Sequence, residues 1–446
     1  MLAALAVSAV GLAACGSSAT TPVAAPHSPG VKAGPGPPAN PEPPAPPPPV
    51  AGSTVAVAVG AGNGAAPFDT ARTLSAPAGT TVEAWARISG ARFETWSPAG
   101  DLLVSVPSAG RIDRLHPGSQ PGDPPTITTV VTNLSSPQGM AFDTLGAMTV
   151  LYVAEDKQVD RYPWTGTTVG SPTVVANLPD PARLGSYSHP LKDVVVGPDH
   201  RIYVDVASSA NVAPGDRTAT PPRAVIESFR PDGSGGIVVA QGVRNGDGLA
   251  FAPDGTLWTA VNERDNLVGP DGRVDQAYVN DHPPDDLASV GGGRDLGWPY
   301  CVPVLGRGAD PLANMALQPD VQTNPDGRAL DCAALRPIER GIAAHSAPLG
   351  LAFLEGSRLP TVWRAGAVVA AHGSFNRVPP RPGEVLWLPW EGSTLGPVQT
   401  MLGGFVSAGG ERWGRPVDAV PGPDGALYVS DDTAGAIYRV SLPAGP

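Results

Sequence analysis

Lysine is almost missing from this 446-residue chain: Lys32, Lys157 and Lys192 stand against 26 arginines. Acidic residues number 41 and the formal net charge is −12, which excludes the basic face that nucleic-acid binding needs. Aromatic residues are few, at 6 %, while glycine and proline number 55 and 54. That balance suits many short strands and turns and disfavours long helices. There is no Walker-type or GxGxxG loop in strand-to-helix context, no GxSxG elbow, no HExxH helix and no Cys/His set with zinc spacing, so the usual routes to nucleotide binding, serine hydrolysis and zinc catalysis are closed. The apolar run MLAALAVSAVGLAAC is too short to span a bilayer.

What the chain does have is a recurring phrase, two β-type runs around a Pro-Asp-Gly-like turn. It reads FETWSPAGDLLVSV from Phe93, DVVVGPDHRIYVDV from Asp193, LAFAPDGTLWTAV from Leu249 and DAVPGPDGALYVSD from Asp418, with a looser copy from Met140. Proline presets φ at such a turn and Gly or Asp tolerates the left-handed conformation. The turn anchors Gly100, Gly146, His200 and Gly255 are 46, 54 and 55 residues apart, a period that predicts an all-β propeller of four-stranded antiparallel blades. Gly425 follows after 170 residues, a gap holding at least one more unit, VWRAGAVVAAHGSFNR from Val362 and GEVLWLPW from Gly383. The expectation is six blades over residues 52–446. Residues 266–340, rich in Gly, Pro and Asp, read as a long loop insertion, or as a degenerate seventh blade. TVAVAV from Thr54 or VEAWARI from Val82 supplies the strand that closes the ring.

Residues 1–15 have the length of a signal-peptide core and end in Leu-Ala-Ala-Cys, the pattern of a bacterial lipobox with Cys15 as the lipidated residue. Residues 16–51 form a Pro/Ala-rich tether too poor in apolar surface to fold. The expectation is an extracytoplasmic protein held at the membrane by its lipid alone. Cys301 and Cys332 then remain, flanking much of the insertion; they are either a disulfide, as export favours, or two buried thiols.

Chemistry-bearing residues collect at predicted strand ends. His189, His345 and His372 each sit where an apolar run meets a loop, whereas His116, His200 and His282 lie in polar turns. Arg244, Arg264, Arg377 and Arg415 recur in similar places. If the strands converge on the channel, several guanidinium groups face one cavity and call for an anion, best a ligand with carboxylates. Asn262, Glu263 and Asp265 offer hard oxygen ligands of the type calcium takes.

Taken in order, His189 with VVVGPDHRIYV, Arg244-Asn245 before GDGLAF, Asn262-Glu263-Arg264-Asp265, Gly297-Trp298-Pro299-Tyr300, His345-Ser346-Ala347-Pro348, His372-Gly373-Ser374-Phe375-Asn376-Arg377 and Gly414-Arg415-Pro416-Val417-Asp418 resemble the glucose/sorbosone dehydrogenase family, and its sorbosone branch more closely. These are six-bladed quinoproteins that use pyrroloquinoline quinone. The resemblance spans about Leu74 to Val440. It implies that His189 is the base taking a hydroxyl proton while hydride passes to the quinone. Arg244 and Asn245 would contact the quinone carbonyls, and Arg415 and Arg377 its carboxylates. His345, Asn262 and Arg264 would be further cofactor contacts, with calcium at Asn262 and Glu263. The substrate would be a sugar, sugar aldehyde or polyol, with an unidentified electron acceptor. Two positions depart from the pattern: Ser208 stands where a carboxylate would orient the base, and Val417 replaces a second cation. A calcium-dependent lactonase and a non-catalytic propeller that binds a glycan or a protein are the alternative readings.

Overall fold

The computed structural model describes residues 52–60, 62–180, 189–407 and 409–444. The lipobox cysteine Cys15 and the whole tether, residues 16–51, lie outside them. Each repeated phrase folds as the two innermost strands of one blade. In blade 1, Glu94–Trp96 pairs antiparallel with Leu102–Val106; in blade 3, Val194–Val196 pairs with Ile202–Val206. The turn between them takes a left-handed residue, with φ of 82° at Gly255 and 60° at His200.

There are six blades. Blade 1 ends with Thr126–Thr132, and blade 2 runs from Met140–Leu145 to Thr173–Asn177. Blade 3 ends with Ile237–Gln241 and gains a short parallel fifth strand, Arg294–Asp295. Blade 5 runs from Pro348–Phe353 to Gln399–Leu402. Blade 6 begins with Pro416–Pro421, Leu427–Asp431 and Ala436–Ser441, and Thr81–Arg87 completes it by pairing antiparallel with Ala436–Ser441. Ser53–Val59 then pairs parallel with Thr81–Arg87, so both candidate closing runs belong to this sheet.

Blade 4 corrects the reading of residues 266–340 as one loop insertion. Its inner strands, Gly248–Phe251 and Leu257–Val261, are followed by Asp285–Val290 and Ile338–Ile342, with Ala313–Met315 at the edge. All of the last three pair within the blade. What loops out is 262–284, which carries the short helix Gln276–Asp281, and a second excursion from 291 to 337 that returns to the blade only at the edge strand Ala313–Met315. The Cys301–Cys332 disulfide is formed within that second excursion. Buried charge hides these strands from a hydropathy reading: Asp285, Asp286, Glu339 and Arg340 are all nearly inaccessible.

The apolar cores lie between neighbouring blades. Leu103 and Ile112 of blade 1 pack with Leu151 and Val153 of blade 2, and Val368 and Val385 of blade 5 pack with Val429 and Tyr438 of blade 6. Around the axis the innermost strands touch directly. Asp193 accepts from Leu249 N at 2.8 Å, joining blade 3 to blade 4, and Asp418 accepts from Glu94 N at 2.9 Å, joining blade 6 to blade 1. Gly350 is needed beside Asp418, because a Cβ there would overlap its Oδ1 and Cα.

Candidate active site

The chain enters the innermost strand of blade 3 at Val194, of blade 4 at Gly248 and of blade 5 at Pro348. The residues just upstream, His189, Arg244-Asn245 and His345, therefore open on the same end of the ring. Asn262 and Glu263 leave the second strand of blade 4 at that end too. The structure brings all six into the wall of one cavity of about 310 Å³, together with Asp265, Asp285, Ala347, Phe375 and Asn376.

His189 Nδ1 lies 3.0 Å from Ser208 Oγ and 3.1 Å from the Ser208 carbonyl oxygen. Ser208 Oγ donates to Ala210 O at 2.9 Å, so Nδ1 carries the proton and Nε2 is the basic nitrogen. Ser208 thus orients the ring from the position where a carboxylate was expected. Asp205 is turned away, fully buried against Asp193 N. Lys192 Nζ grips the backbone beneath the ring, donating to His189 O at 2.7 Å and Pro190 O at 3.1 Å. Burial, then the Arg244 charge, push the imidazole down to about 3 despite the Ser208 hydrogen bond, so it is neutral at ordinary pH.

Arg244 is 2 % exposed. Its guanidinium is fixed by Asn262 O at 2.9 Å, Asn211 Oδ1 at 2.9 Å and Asp265 Oδ2 at 3.1 Å. Asn245 donates to Asp247 Oδ2 at 2.9 Å, and its own Oδ1 is buried without a hydrogen-bond partner. Asn262 donates to Pro348 O at 2.8 Å. Glu263 N donates to Asp285 Oδ1, whereas Glu263 Oε2 is a buried oxygen without a partner. Burial raises Glu263 to about 7 against the attraction of Arg244. His345 donates through Nε2 to Val279 O at 2.6 Å.

Three of the predicted arginines are not in the cavity wall. Arg264 is a strut: its guanidinium is buried against Asp320 and Gln322 of the disulfide-bearing excursion. Arg377 donates to Asn280 O and Pro379 O at the rim. Arg415, just before the innermost strand of blade 6, donates to His372 O at 2.9 Å and Gly373 O at 3.1 Å. The same end of the channel carries a further polar chain. His372 meets Asp432 at 3.0 Å, Asp432 pairs with Arg92 at 2.9 Å, Arg92 donates to Gln138 and Gln138 to Asp247, the partner of Asn245. Val417 is fully buried with Phe93 and Leu349, an apolar contact in place of a second cation. Sequence reasoning missed Asn211, Arg92, Asp285 and Asp432, all polar residues in loops or at strand ends with no repeated neighbour to mark them.

A cavity at one end of a six-bladed ring, lined by a neutral histidine and a buried arginine–asparagine pair, agrees with the family model that matches this chain over residues 88–442. The chain belongs to the TrAA12-like family. Among solved structures, the family's Trichoderma reesei AA12 enzyme, in its iodide structure, superposes with a TM-score of 0.69 at 19 % identity, covering 83 % of this chain and 98 % of that one. The holo form of the PQQ domain of pyranose dehydrogenase from Coprinopsis cinerea gives 0.67 at 20 % identity over 83 % and 97 %. At these identities the likeness is one of fold. An uncharacterized protein of Borreliella burgdorferi is 29 % identical over 247 residues; the match covers 54 % of this chain and spans 57 % of the length of that relative.

The donor set fits pyrroloquinoline quinone, a flat molecule with two adjacent carbonyls and three carboxylates. Arg244 supplies buried positive charge in the wall, while Arg415 and Arg92 lie outside it at the same channel end, Arg92 paired with Asp432. Calcium is less well provided for. Among the described residues no group of three His, Cys, Asp or Glu side chains could hold a metal ion, although Asn262 and Glu263, the pair expected to take it, stand in the wall with Asp265 and Asp285.

Proposed function

We propose that this protein is a quinone-dependent dehydrogenase that oxidises a sugar, sugar aldehyde or polyol, with pyrroloquinoline quinone held by Arg244 and Asn245. The observation that carries this reading is the pairing of a neutral, oriented His189 with a desolvated Arg244 in one cavity. The bound quinone would supply the hydride acceptor. The chain's own residues do the rest. Ser208 and Lys192 fix the His189 loop, so that Nε2 accepts the proton of the hydroxyl being oxidised. Arg244, immobilised by hydrogen bonds that include Asn262 O, Asn211 Oδ1 and Asp265 Oδ2, offers fixed positive charge where negative charge develops. Pyranose oxidation by the Coprinopsis cinerea enzyme, as its name gives it, supports a sugar as substrate. The sorbosone-type activity rests on the motifs alone.

Calcium at Asn262 and Glu263 stays within the proposal as a two-oxygen site, and no step runs through it. Export and lipid anchoring at Cys15 belong to the proposal too, supported by the lipobox pattern and by the disulfide, which suits an oxidising compartment. No helix among the described residues is long and apolar enough to cross a membrane.

The deciding experiment is calorimetric titration of the purified protein with pyrroloquinoline quinone, followed by dye reduction across a panel of aldoses and polyols. Saturable quinone binding and turnover are expected. His189→Ala should keep the quinone and lose roughly 10²–10⁴ in kcat. No heat of binding, or lactone hydrolysis without any quinone, would sink the reading.

A further inference from the structure

Phe375 is 93 % exposed, yet it is not a side chain on a free loop tip. It lines the same cavity as His189 and Arg244, and its loop is clamped by the short helix Gln276–Asp281 from blade 4. Gln276 donates to Asn376 O at 3.0 Å, Asn280 donates to Val378 O at 2.6 Å and accepts from Val378 N at 2.9 Å, and Arg377 donates to Asn280 O at 3.2 Å. His345 holds that helix in turn, through Val279 O. An aromatic ring on a tethered stretch of backbone is therefore presented to solvent at the rim of the reacting cavity.

The next residue adds a polar handle. Asn376 also lines the cavity, and its Oδ1 is buried without a hydrogen-bond partner. An unmet buried acceptor is costly and is met when a donor arrives. An aromatic face beside an open acceptor is complementary to a pyranose. Such a ring presents a flat patch of C–H bonds, which lie well against the electron-rich face of an arene, and a rim of hydroxyl donors. An open-chain polyol has donors but no fixed C–H face.

We propose that Phe375 and Asn376 form the carbohydrate subsite of this cavity, Phe375 carrying the C–H face of a pyranose and Asn376 Oδ1 accepting from one of its hydroxyls. The assignment rests on the sugar-oxidising reading above and narrows its substrate class to cyclic sugars over linear polyols.

Two measurements test it and separate its failure from that of the dehydrogenase reading. With quinone-loaded protein, Phe375→Ala raises KM for aldopyranoses about tenfold, an aromatic-contact effect, with kcat within about twofold, quinone affinity unchanged and Phe375→Trp restoring KM. Asn376→Ala raises the same KM without altering the quinone titration. Independently of turnover, saturation-transfer NMR on a non-oxidisable methyl pyranoside shows contact with wild type and Phe375→Trp but not with Phe375→Ala. An unchanged KM together with undiminished transfer in Phe375→Ala overturns the subsite. If the wild type takes up no quinone while the transfer still depends on Phe375, the subsite stands and the dehydrogenase reading fails.

Discussion

At the residue scale the site turns on the charge state of His189. Its neutrality has two main causes, burial first and the neighbouring Arg244 second. A group held below its ordinary 6.5 resists protonation, so without quinone the ring should stay neutral until the pH falls towards about 3. Replacing Arg244 by Gln removes the second cause, and the titration should move up towards 6.5. Carboxylates of a bound quinone would oppose the same arginine and shift it in the same direction. Imidazole NMR signals followed through a pH titration check all three states. A His189 that titrates near 6.5 in wild type would contradict this electrostatic account.

At the element scale the second excursion of blade 4 is stapled by its disulfide and packs into the core between blades 3 and 4. The two cysteines are 31 residues apart, and closing a loop of that size restricts the unfolded chain by roughly 3–4 kcal/mol. The double Cys301→Ser, Cys332→Ser variant should unfold at lower denaturant by that amount, while its far-ultraviolet sheet signal and quinone affinity stay near wild type. Loss of quinone binding would instead show that the excursion shapes the cavity. This region also marks the limit of what the sequence discloses. Inner strand pairs such as Val194–Val196 with Ile202–Val206 are announced by an apolar run, a turn and another apolar run, all local signals. Asp285–Val290 and Ile338–Ile342 begin or centre on buried charges and are set among glycines and prolines, so only tertiary pairing defines them. The site divides in the same way. His189, Arg244, Asn245, Asn262, Glu263 and His345 stand at strand ends, which the repeat locates. The strut role of Arg264 depends on Asp320, and the presentation of Phe375 on the Gln276–Asp281 helix; neither has a sequence signature.

At the scale of the whole molecule, buried acids outweigh buried bases. Burial raises Asp418, Glu227 and Glu155 to about 7 and Asp431 to about 6. Each has a folded-state value above its unfolded one, so the folded protein binds the extra proton between about pH 4 and 7. Their contribution is present in mild acid and is lost as pH rises through that window. His189, at about 3, and His372, at about 4, act in the opposite sense, being lost as pH falls below 6.5. The acids are more numerous, and thermal unfolding should give a higher Tm at pH 5.5 than at pH 7.5; the reverse order would refute the balance. The seam of blade 6 has a consequence for assembly. Thr81–Arg87 pairs with Ser53–Val59 along one edge, but its other edge meets Ala436–Ser441 only after the intervening blades have been made. A nascent polypeptide that lacks Ala436–Ser441 is therefore a horseshoe with two unsatisfied edges, prone to join a neighbour until that strand arrives to latch the circle.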